Sequence, residues 1–277
     1  MTKKNLAFFS LLFFFAMNIQ SQALAQQPRD LFYDRVSPKE KDIIPYDHIR
    51  ESDVFWHKRV WRVIEVNEKL NLPFKYPKMP LITIFRNAGL SGELKLYAPA
   101  RDDDSEYNKP PMTVAEIANI GVKNDTIMVP DSAGNLIPTP RHEPFKPESV
   151  KKFRIKEDWF FDKETSTMQV RIVGIAPVME KYDDSGNKLG EAPIFWVYFP
   201  DARKYLVKQE VFNSNNDAIK LSWDDLFEMR VFSSYIIKES NVFDRRIQDY
   251  AGPMDALYES ERIKNEIFEY EHNLWSY

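Results

Sequence analysis

Metal chemistry depends on the few side chains that can ligate a metal ion, and imidazoles are the first to consider. The chain has four of them: His48, His57, His142 and His272. Only His272 stands at a ligand spacing, three residues after Glu269, which places both side chains on one face of a helix. A carboxylate-bridged metal centre needs this motif from two helices, plus further glutamates. We therefore expect a surface pair, no metal ion and no other cofactor.

Other motifs resemble catalytic or ion-binding sites but lack the partners that those sites need. The acidic run Asp102–Asp104 has neither the glycine nor the distant bidentate glutamate of a calcium-binding loop. Ser149 and Lys152 match S-x-x-K, yet the companion motifs are missing. There is no G-x-S-x-G, and with only 8 glycines in the chain there is no glycine-rich phosphate loop. We predict that the chain has no catalytic residues and is not an enzyme.

Two alternatives to a non-enzymatic role stay open from the residues alone. A periplasmic hydrolase would need polar side chains that converge in one pocket. A glycan-binding module would need aromatic side chains exposed in a row on a sheet, and Trp159, Phe160 and Trp196 are candidates. Aromatic residues in strands more often form the buried face.

The stretch "FWHKRVWRVIEV" at 55–66 combines aromatic and cationic residues in a pattern that we interpret as a helix from Asp53 to about Leu70, capped by Ser52. At about 100° per residue, one face gathers the apolar side chains and leaves out Trp61. Tryptophan and arginine are enriched at interface hot spots. The hypothesis is that Trp61, Arg62 and Lys58 contact a partner subunit. The alternative is that the N-terminal arm covers Trp61.

The first 25 residues have the organisation of a secretory signal peptide: basic residues, an apolar run at 6–17 and then "ALA". Cleavage is expected between Ala25 and Gln26. The alternative, a transmembrane anchor, is disfavoured because the run is shorter than the roughly 20 residues that a span requires. We therefore expect an exported, soluble protein. Without cysteine it has no disulfide and no thiol for a lipid, so membrane attachment would come through a partner.

The balance of charge gives no reason to expect nucleic acid or an anionic membrane as a ligand. The formal net charge is −4, and loss of the two signal lysines makes the mature chain more acidic.

The chain divides by composition into an arm at 26–51, a helical part with a Pro-rich loop at 52–147, and a sheet with C-terminal helices at 148–277. Five prolines between Pro130 and Pro147 mark the loop. A single compact domain over 52–277 is the alternative.

Element by element, the patterns predict an α+β fold: an antiparallel sheet of about four strands, flanking helices and a long Pro-rich loop. Apolar periodicity favours a short helix over "LITIFRNAG", and Thr113 with Glu116 forms a capping box. The predicted strands are "KKFRIKEDWFFD", "MQVRIVGIAPVMEKY", "PIFWVYFP" and "KYLVKQEVF", with a turn at "DDSGN" and a shorter strand earlier at "GELKLYAP". Ser222 caps a helix. A last helix runs from near Pro253 to Trp275, with a stripe of Ala256, Ile263, Ile267 and Leu274 beside Leu257, Phe268 and Trp275.

Three segments resemble a known family of gliding-motility proteins, GldN and its relative PorN: "DVFWHKRVWRVIEVNEKLNLPFKYPK", "YFPDARKYLVKQEVFNSNNDAIKLSWDDLFEMRVFSSYIIKESNVFDR" and "ALYESERIKNEIFEYEHNLWSY". The most specific parts are W-x-K-R-V-W-R at 56–62 and F-S-S-Y-I-I-K-E at 232–239. Residues 101–150 match no pattern of the family, and the resemblance carries over no catalytic residue.

The resemblance implies a non-enzymatic, periplasmic component of the type IX secretion and gliding machinery in Bacteroidetes. Members assemble into a ring with an outer-membrane lipoprotein of the GldK or PorK type. They also contact the periplasmic part of a motor protein of the GldM or PorM type. We therefore expect self-association, and a location at the inner face of the outer membrane held by the lipoprotein, with no direct insertion into the membrane.

Overall fold

The computed structural model of the protein describes residues 41–100, 106–130, 136–182, 187–213 and 221–275, without the side chains of 123–142 and 275. The described residues belong to one compact unit, Pro38–Tyr277. The predicted signal peptide and its expected cleavage site between Ala25 and Gln26 lie outside the described residues, as do the acidic run Asp102–Asp104 and most of the predicted turn "DDSGN".

An antiparallel sheet dominates the fold, so the predicted α+β class is confirmed. Its strands run in the order β2-β8-β6-β5-β1-β9, with β7 paired to β6, so that seven strands are described where about four were expected. Their bounds are β1 Val54–Glu65, β2 Leu96–Tyr97, β5 Val150–Asp162, β6 Thr167–Tyr182, β7 Lys188–Pro193, β8 Trp196–Tyr198 and β9 Tyr235–Glu239.

The stretch "FWHKRVWRVIEV" is strand β1, and its prediction as a helix is wrong. It lies between β5 and β9, and its register with β5 runs from Val54 opposite Asp162 to Glu65 opposite Lys152. Valine, isoleucine and tryptophan favour pleated strands over helices. Pairing on both sides satisfies the backbone along the strand, and this outweighs the helical spacing of its apolar residues. Ser52 lies in a short 3-10 turn and caps no helix.

The predicted strand "KYLVKQEVF" begins inside helix α3, Phe199–Leu206, so that prediction is also wrong. Pro200 stands in the first turn of this helix, where its missing N–H costs nothing. Phe199, Ala202 and Leu206 are buried at helical spacing. Burial of this apolar face against the core stabilises the helix relative to a strand.

The Pro-rich segment is a two-stranded antiparallel hairpin rather than a structureless loop. Strand β3, Lys123–Pro130, pairs with β4, Leu136–Glu143, through eight registered positions. Prolines are tolerated in such a ribbon because each strand has an edge that donates to no neighbour.

Several predicted elements are confirmed. Helix α1 spans Leu81–Leu90, α2 spans Val114–Asn119, α4 spans Trp223–Glu228 and α5 spans Pro253–Trp275. The capping boxes of Thr113 with Glu116 and of Ser222 with Asp225 are both formed. These caps work because a side-chain oxygen satisfies backbone N–H groups that a helix start leaves without a partner.

The apolar core has two main parts. The larger one includes residues of α1, α3 and α4 together with those of β5, β6 and β8. The smaller one joins Val60 of β1 and Ile236 of β9 to Ile263 and Ile267 of α5. Ser260 of α5 accepts a hydrogen bond at 2.9 Å from the backbone N–H of Ile236. Helix α5 therefore covers edge strand β9, a position where an exposed strand would invite pairing with another chain.

Candidate partner-binding surface

Trp61 lies inside the protein, with 1% of its surface exposed. It packs with Ala176 and Trp196, and its indole N–H is buried without a hydrogen-bond partner. The geometric basis of the docking hypothesis, a tryptophan left over on a helix, is therefore wrong. Trp61 is covered by Ala176 and Trp196 of the sheet and by Tyr107, which lies in the turn at 106–108.

The two cations proposed beside Trp61 also have partners within the chain. Lys58 forms an ion pair with Glu239 at 2.6 Å. Arg62 is largely buried and donates to the hydroxyl and carbonyl oxygens of Ser234 at 2.9 and 3.1 Å. Burial lowers the pKa of Arg62, and the charge of Glu157 opposes this effect. The three residues do not form one exposed patch, and their role in docking stays a prediction.

Lys156 lies opposite Trp61 on β5 and is the least expected feature of the interior. Only 1% of its side chain is exposed, and its ammonium group forms an ion pair with Glu106, which is fully buried. The rings of Trp61, Tyr107 and Trp196 lie 5.3 to 5.8 Å from its Nζ atom. Three aromatic faces and one carboxylate thus replace the water that a lysine normally requires.

This arrangement holds the 3-10 turn Glu106–Asn108 down on the sheet. Tyr107 donates to the carbonyl of Val197 at 3.3 Å, and burial raises its pKa, as does the neighbouring charge of Glu106. A Cβ atom on Gly174 would lie 1.8 Å from the Tyr107 hydroxyl, so the turn can approach only a glycine here. The charged pair thus fastens this turn to the sheet.

Lys238 is a second buried cation on the same face. Its Nζ atom lies 4.4 Å from the centre of the Trp61 ring and 2.5 Å from a carboxylate oxygen of Asp244. Neither lysine was predicted from the sequence. Lys156 shares its strand face with Arg154 and Asp158, so the alternation of β5 indicates a polar, exposed position and gives no signal of burial.

A third buried charge, Glu157, belongs to a separate network. It pairs with Arg230 at 2.9 Å and accepts from the indole N–H of Trp159 at 3.0 Å. Arg230 adopts a positive φ of 54° in the turn that follows α4. The network joins β5 to this turn, so these charges also hold the fold together.

The described part of the N-terminal arm, residues 41–50, is anchored on α3 and α4. Tyr46 donates to Glu228 and lies between the guanidinium groups of Arg171 and Arg203, 4.7 and 4.2 Å from its ring centre. Burial raises the pKa of Tyr46, and the hydrogen bond to Glu228 raises it further. Lys41 pairs with Asp225.

A cleft of about 500 Å³ lies between the sheet and the start of α5. Three of its charged side chains, Lys152, Glu191 and Glu65, are paired with one another. Lys152 lies 2.9 Å from Glu191 and 3.4 Å from Glu65, and Tyr235 donates to Glu65 at 3.3 Å. Burial opposes the charge of Lys152, yet its contacts with Glu191 and the neighbouring acids raise its pKa. These contacts join β5 to β7 and β1 along the wall of the cleft.

The candidate metal ligands are not brought together. His57 lies 3.3 Å from Asp158, whereas His48 and His272 are exposed elsewhere, and the side chain of His142 is outside the described set. Among the described residues, no three histidine or acidic side chains are grouped as metal ligands.

Against the effect of burial, Arg59 and His57 both lower the pKa of Asp158 and so stabilise its charged form. Burial alone would raise the pKa of Asp158, but the paired hydrogen bonds from Arg59 at 2.7 and 2.9 Å hold it below its usual range.

The aromatic residues proposed to stack on a glycan do not form an exposed row. Phe160 and Trp196 are buried, and Trp159 is half-buried beneath Arg230.

Large exposed apolar side chains are instead concentrated on α5 and the loop before it. Phe268 is 71% exposed and Tyr258 70% exposed. The predicted stripe is only partly right, because Ile263 and Ile267 are buried while Leu257, Phe268 and Leu274 face outward. We call the following set the α5 outer face: Met254, Leu257, Tyr258, Glu261, Asn265, Phe268 and Glu269. On a helix these positions centre about 140° away from the buried stripe.

The fold and this surface define an α+β protein whose large apolar side chains are displayed on a helix and whose buried charges serve packing. The chain belongs to the GldN family: the family model described as "Gliding motility associated protein GldN" matches residues 49–276, nearly the whole chain. It is therefore a gliding-motility-associated protein. No curated protein matches the chain.

Within the described ranges, no helix combines the length and the apolar character that are needed to cross a bilayer.

Proposed function

We propose that this protein is a non-enzymatic, periplasmic adaptor of the type IX secretion and gliding machinery. Membership of the GldN family supports the connection with gliding. The observation that carries the adaptor role is the α5 outer face, where side chains of the size of phenylalanine and tyrosine are exposed to water. Large apolar side chains that gather in the exposed state on one side of a helix typically mark a contact with another protein.

The proposed partners follow from the family resemblance. The protein assembles into a ring with an outer-membrane lipoprotein of the GldK or PorK type and lies at the inner face of the outer membrane. It also contacts the periplasmic part of a motor protein of the GldM or PorM type. In this arrangement the protein transmits force between the two membranes and performs no reaction of its own.

The interior supports this role better than a catalytic one. Lys156 and Glu157 are buried charges, and each is held by a carboxylate or a guanidinium of the same chain. Lys152, Glu191 and Glu65 in the lining of the 500 Å³ cleft are also paired with one another. Catalytic groups are usually held with perturbed pKa values in a cleft that a substrate can enter.

Affinity purification from the native envelope tests the proposal. The tagged protein should co-isolate an outer-membrane lipoprotein and an inner-membrane motor protein, and both should be absent when an unrelated tagged periplasmic protein is purified in parallel. Isolation of the protein without either membrane protein would contradict the adaptor role. Hydrolysis of peptidoglycan by the purified protein, or its retention on a glycan column, would replace it with one of the two alternatives.

A further inference from the structure

Helix α5 has two apolar sides, and only one is used by the fold. Ile263 and Ile267 pack on β9 and β1, whereas the α5 outer face is exposed. The helix is also acidic: residues 253–275 contain six carboxylates and two basic side chains, a net charge of −4 with the histidine neutral. Arg262 and Lys264 are already paired with glutamates of the same helix. Two of the six carboxylates, Glu261 and Glu269, lie on the α5 outer face, and Glu261 is paired with Lys264, so this face is apolar with a modest negative charge.

A second exposed surface has the opposite charge. Residues 69–79, "KLNLPFKYPKM", contain three lysines and no carboxylate. We call the exposed members of this segment the basic ridge: Lys69, Leu70, Leu72, Lys75, Lys78 and Met79. Leu70 is 51% exposed, and Leu72 and Met79 are exposed to a similar degree.

The basic ridge is held rigidly in this exposed position. Asn71, which is fully buried within it, donates to the carbonyls of Glu65 and Ser233 at 2.9 Å and accepts from the N–H of Ser233 at 2.9 Å. Phe74 is buried among the aromatic rings of the core. Tyr76 stacks on Phe212 with ring centres 4.5 Å apart. Because the backbone of the ridge is anchored in this way, binding costs mainly the freedom of its exposed side chains.

We propose that the α5 outer face of one copy of this protein docks on the basic ridge of a second copy. Both surfaces present leucine or methionine among charges of a single sign, and the signs are opposite. Apolar contact and electrostatic complementarity then act together. The α5 outer face itself carries two carboxylates, Glu261 and Glu269, and no basic side chain, so like-charge repulsion disfavours its pairing with a second α5 outer face. The contact therefore joins two different surfaces, the arrangement from which rings are built.

This inference rests on the proposed function, because it assigns the surfaces through which the adaptor associates with itself. The sequence offers a direct test, since the chain contains no cysteine. Leu257→Cys places one thiol on the α5 outer face, and Leu70→Cys places one on the basic ridge. The two purified variants are treated with a short bis-maleimide reagent, first separately and then as a mixture. The same reagent is then applied to the native envelope of cells that express both variants.

Only the mixture of the two variants should give a cross-linked dimer, and the double variant should give a ladder of higher species. Lys163→Cys, which is exposed at the end of β5, serves as the control and should remain monomeric with either partner. Cross-linking of Leu257→Cys with itself would overturn the proposal, as would failure of the mixture to cross-link in both preparations.

Charge reversal gives an independent readout. Lys75→Glu with Lys78→Glu should abolish self-association in sedimentation velocity, and so should Glu261→Lys with Glu269→Lys. A mixture of the two reversed proteins should associate again. The control is Lys95→Glu with Lys163→Glu, which changes the net charge as much as Lys75→Glu with Lys78→Glu does, but away from both surfaces. This control should not affect self-association. If the mixture of reversed proteins stays monomeric while each retains the melting temperature of the unaltered protein, the two surfaces do not meet.

The two proposals fail separately. Loss of cross-linking with intact co-isolation of the lipoprotein and the motor protein overturns the interface and leaves the adaptor role standing. A cross-linked ladder without either membrane partner supports the interface and removes the adaptor role.

Discussion

The buried pair of Lys156 and Glu106 allows a quantitative test of the interior. Glu106→Ala removes the carboxylate and leaves an ammonium group that is 1% exposed. Breaking a buried pair in this way typically costs about 3–5 kcal/mol. The three aromatic rings around Lys156 remain and each retains some attraction for the cation, so we expect the lower end of that range.

A loss of about 3 kcal/mol is a large share of the roughly 5–15 kcal/mol by which domains are stable. For a domain of this size each kcal/mol shifts the melting temperature by about 2–4 °C. Glu106→Ala should therefore melt about 6–12 °C below the unaltered protein in differential scanning calorimetry. Glu164→Ala removes an exposed carboxylate at the end of β5 and should change stability by less than about 0.5 kcal/mol.

The double variant Glu106→Leu with Lys156→Met separates the pair from its surroundings. Replacing both charges by apolar side chains of similar volume is often neutral or stabilising. We expect the double variant to melt close to the unaltered protein. If Glu106→Ala melts unchanged, or if the double variant loses as much stability as the single one, the pair does not fasten the turn to the sheet.

Three further predictions concern the interior and the ends of the chain. Trp61→Ala should destabilise the protein by about 3–5 kcal/mol because it empties a buried site, and a folded Trp61→Ala protein that loses only its partner would restore the docking hypothesis. Removal of 263–277 takes away Ile263 and Ile267, each worth roughly 1.5–3 kcal/mol of burial, and should leave little soluble protein in a fractionation assay. N-terminal sequencing of protein from the envelope should begin at Gln26, and an intact Met1 would refute export by a cleaved signal.

The elements that could be predicted from the sequence are those whose local signals agree with their surroundings. Ser222 and Asp225 form a capping box that needs nothing outside its own turn, and helix α4 begins where this motif indicates. Strand β5 combines β-branched and aromatic residues with alternation, so its local preference and its place in the sheet point the same way.

Strand β1 could not be predicted because a charged residue inside it is buried, whereas its position in the sequence suggests an exposed face. Its residues from Val60 to Ile64 are all buried, including Arg62, so the alternation that marks a half-exposed strand is lost. A strand that is buried on both faces appears in the sequence as a continuous apolar run. Arg62 interrupts this run, so the pattern of apolar and polar residues resembles that of an amphipathic helix. Which partner buries a cation is decided by residues more than a hundred positions away, such as Ser234.

The candidate surface was missed for a related reason. Apolar residues at helical spacing on α5 indicate that one side is buried, but they do not tell which of two adjacent stripes packs on the protein. Ile263 and Ile267 are buried because they meet Ile236 and Val60, and this choice is set by the position of β9. Phe268 is left outside by the same contact.

The role of α5 as cover for β9 bears on how partners can bind. An open edge strand is the usual place for another chain to add a strand. Here the hydroxyl of Ser260 accepts a hydrogen bond from the outward N–H of Ile236, and α5 packs on this edge, so strand addition at this position is disfavoured. Association at this end of the sheet is then expected to use side chains rather than backbone hydrogen bonds. The side chains available are those of the α5 outer face, because the opposite side of the helix is occupied by the edge that it protects.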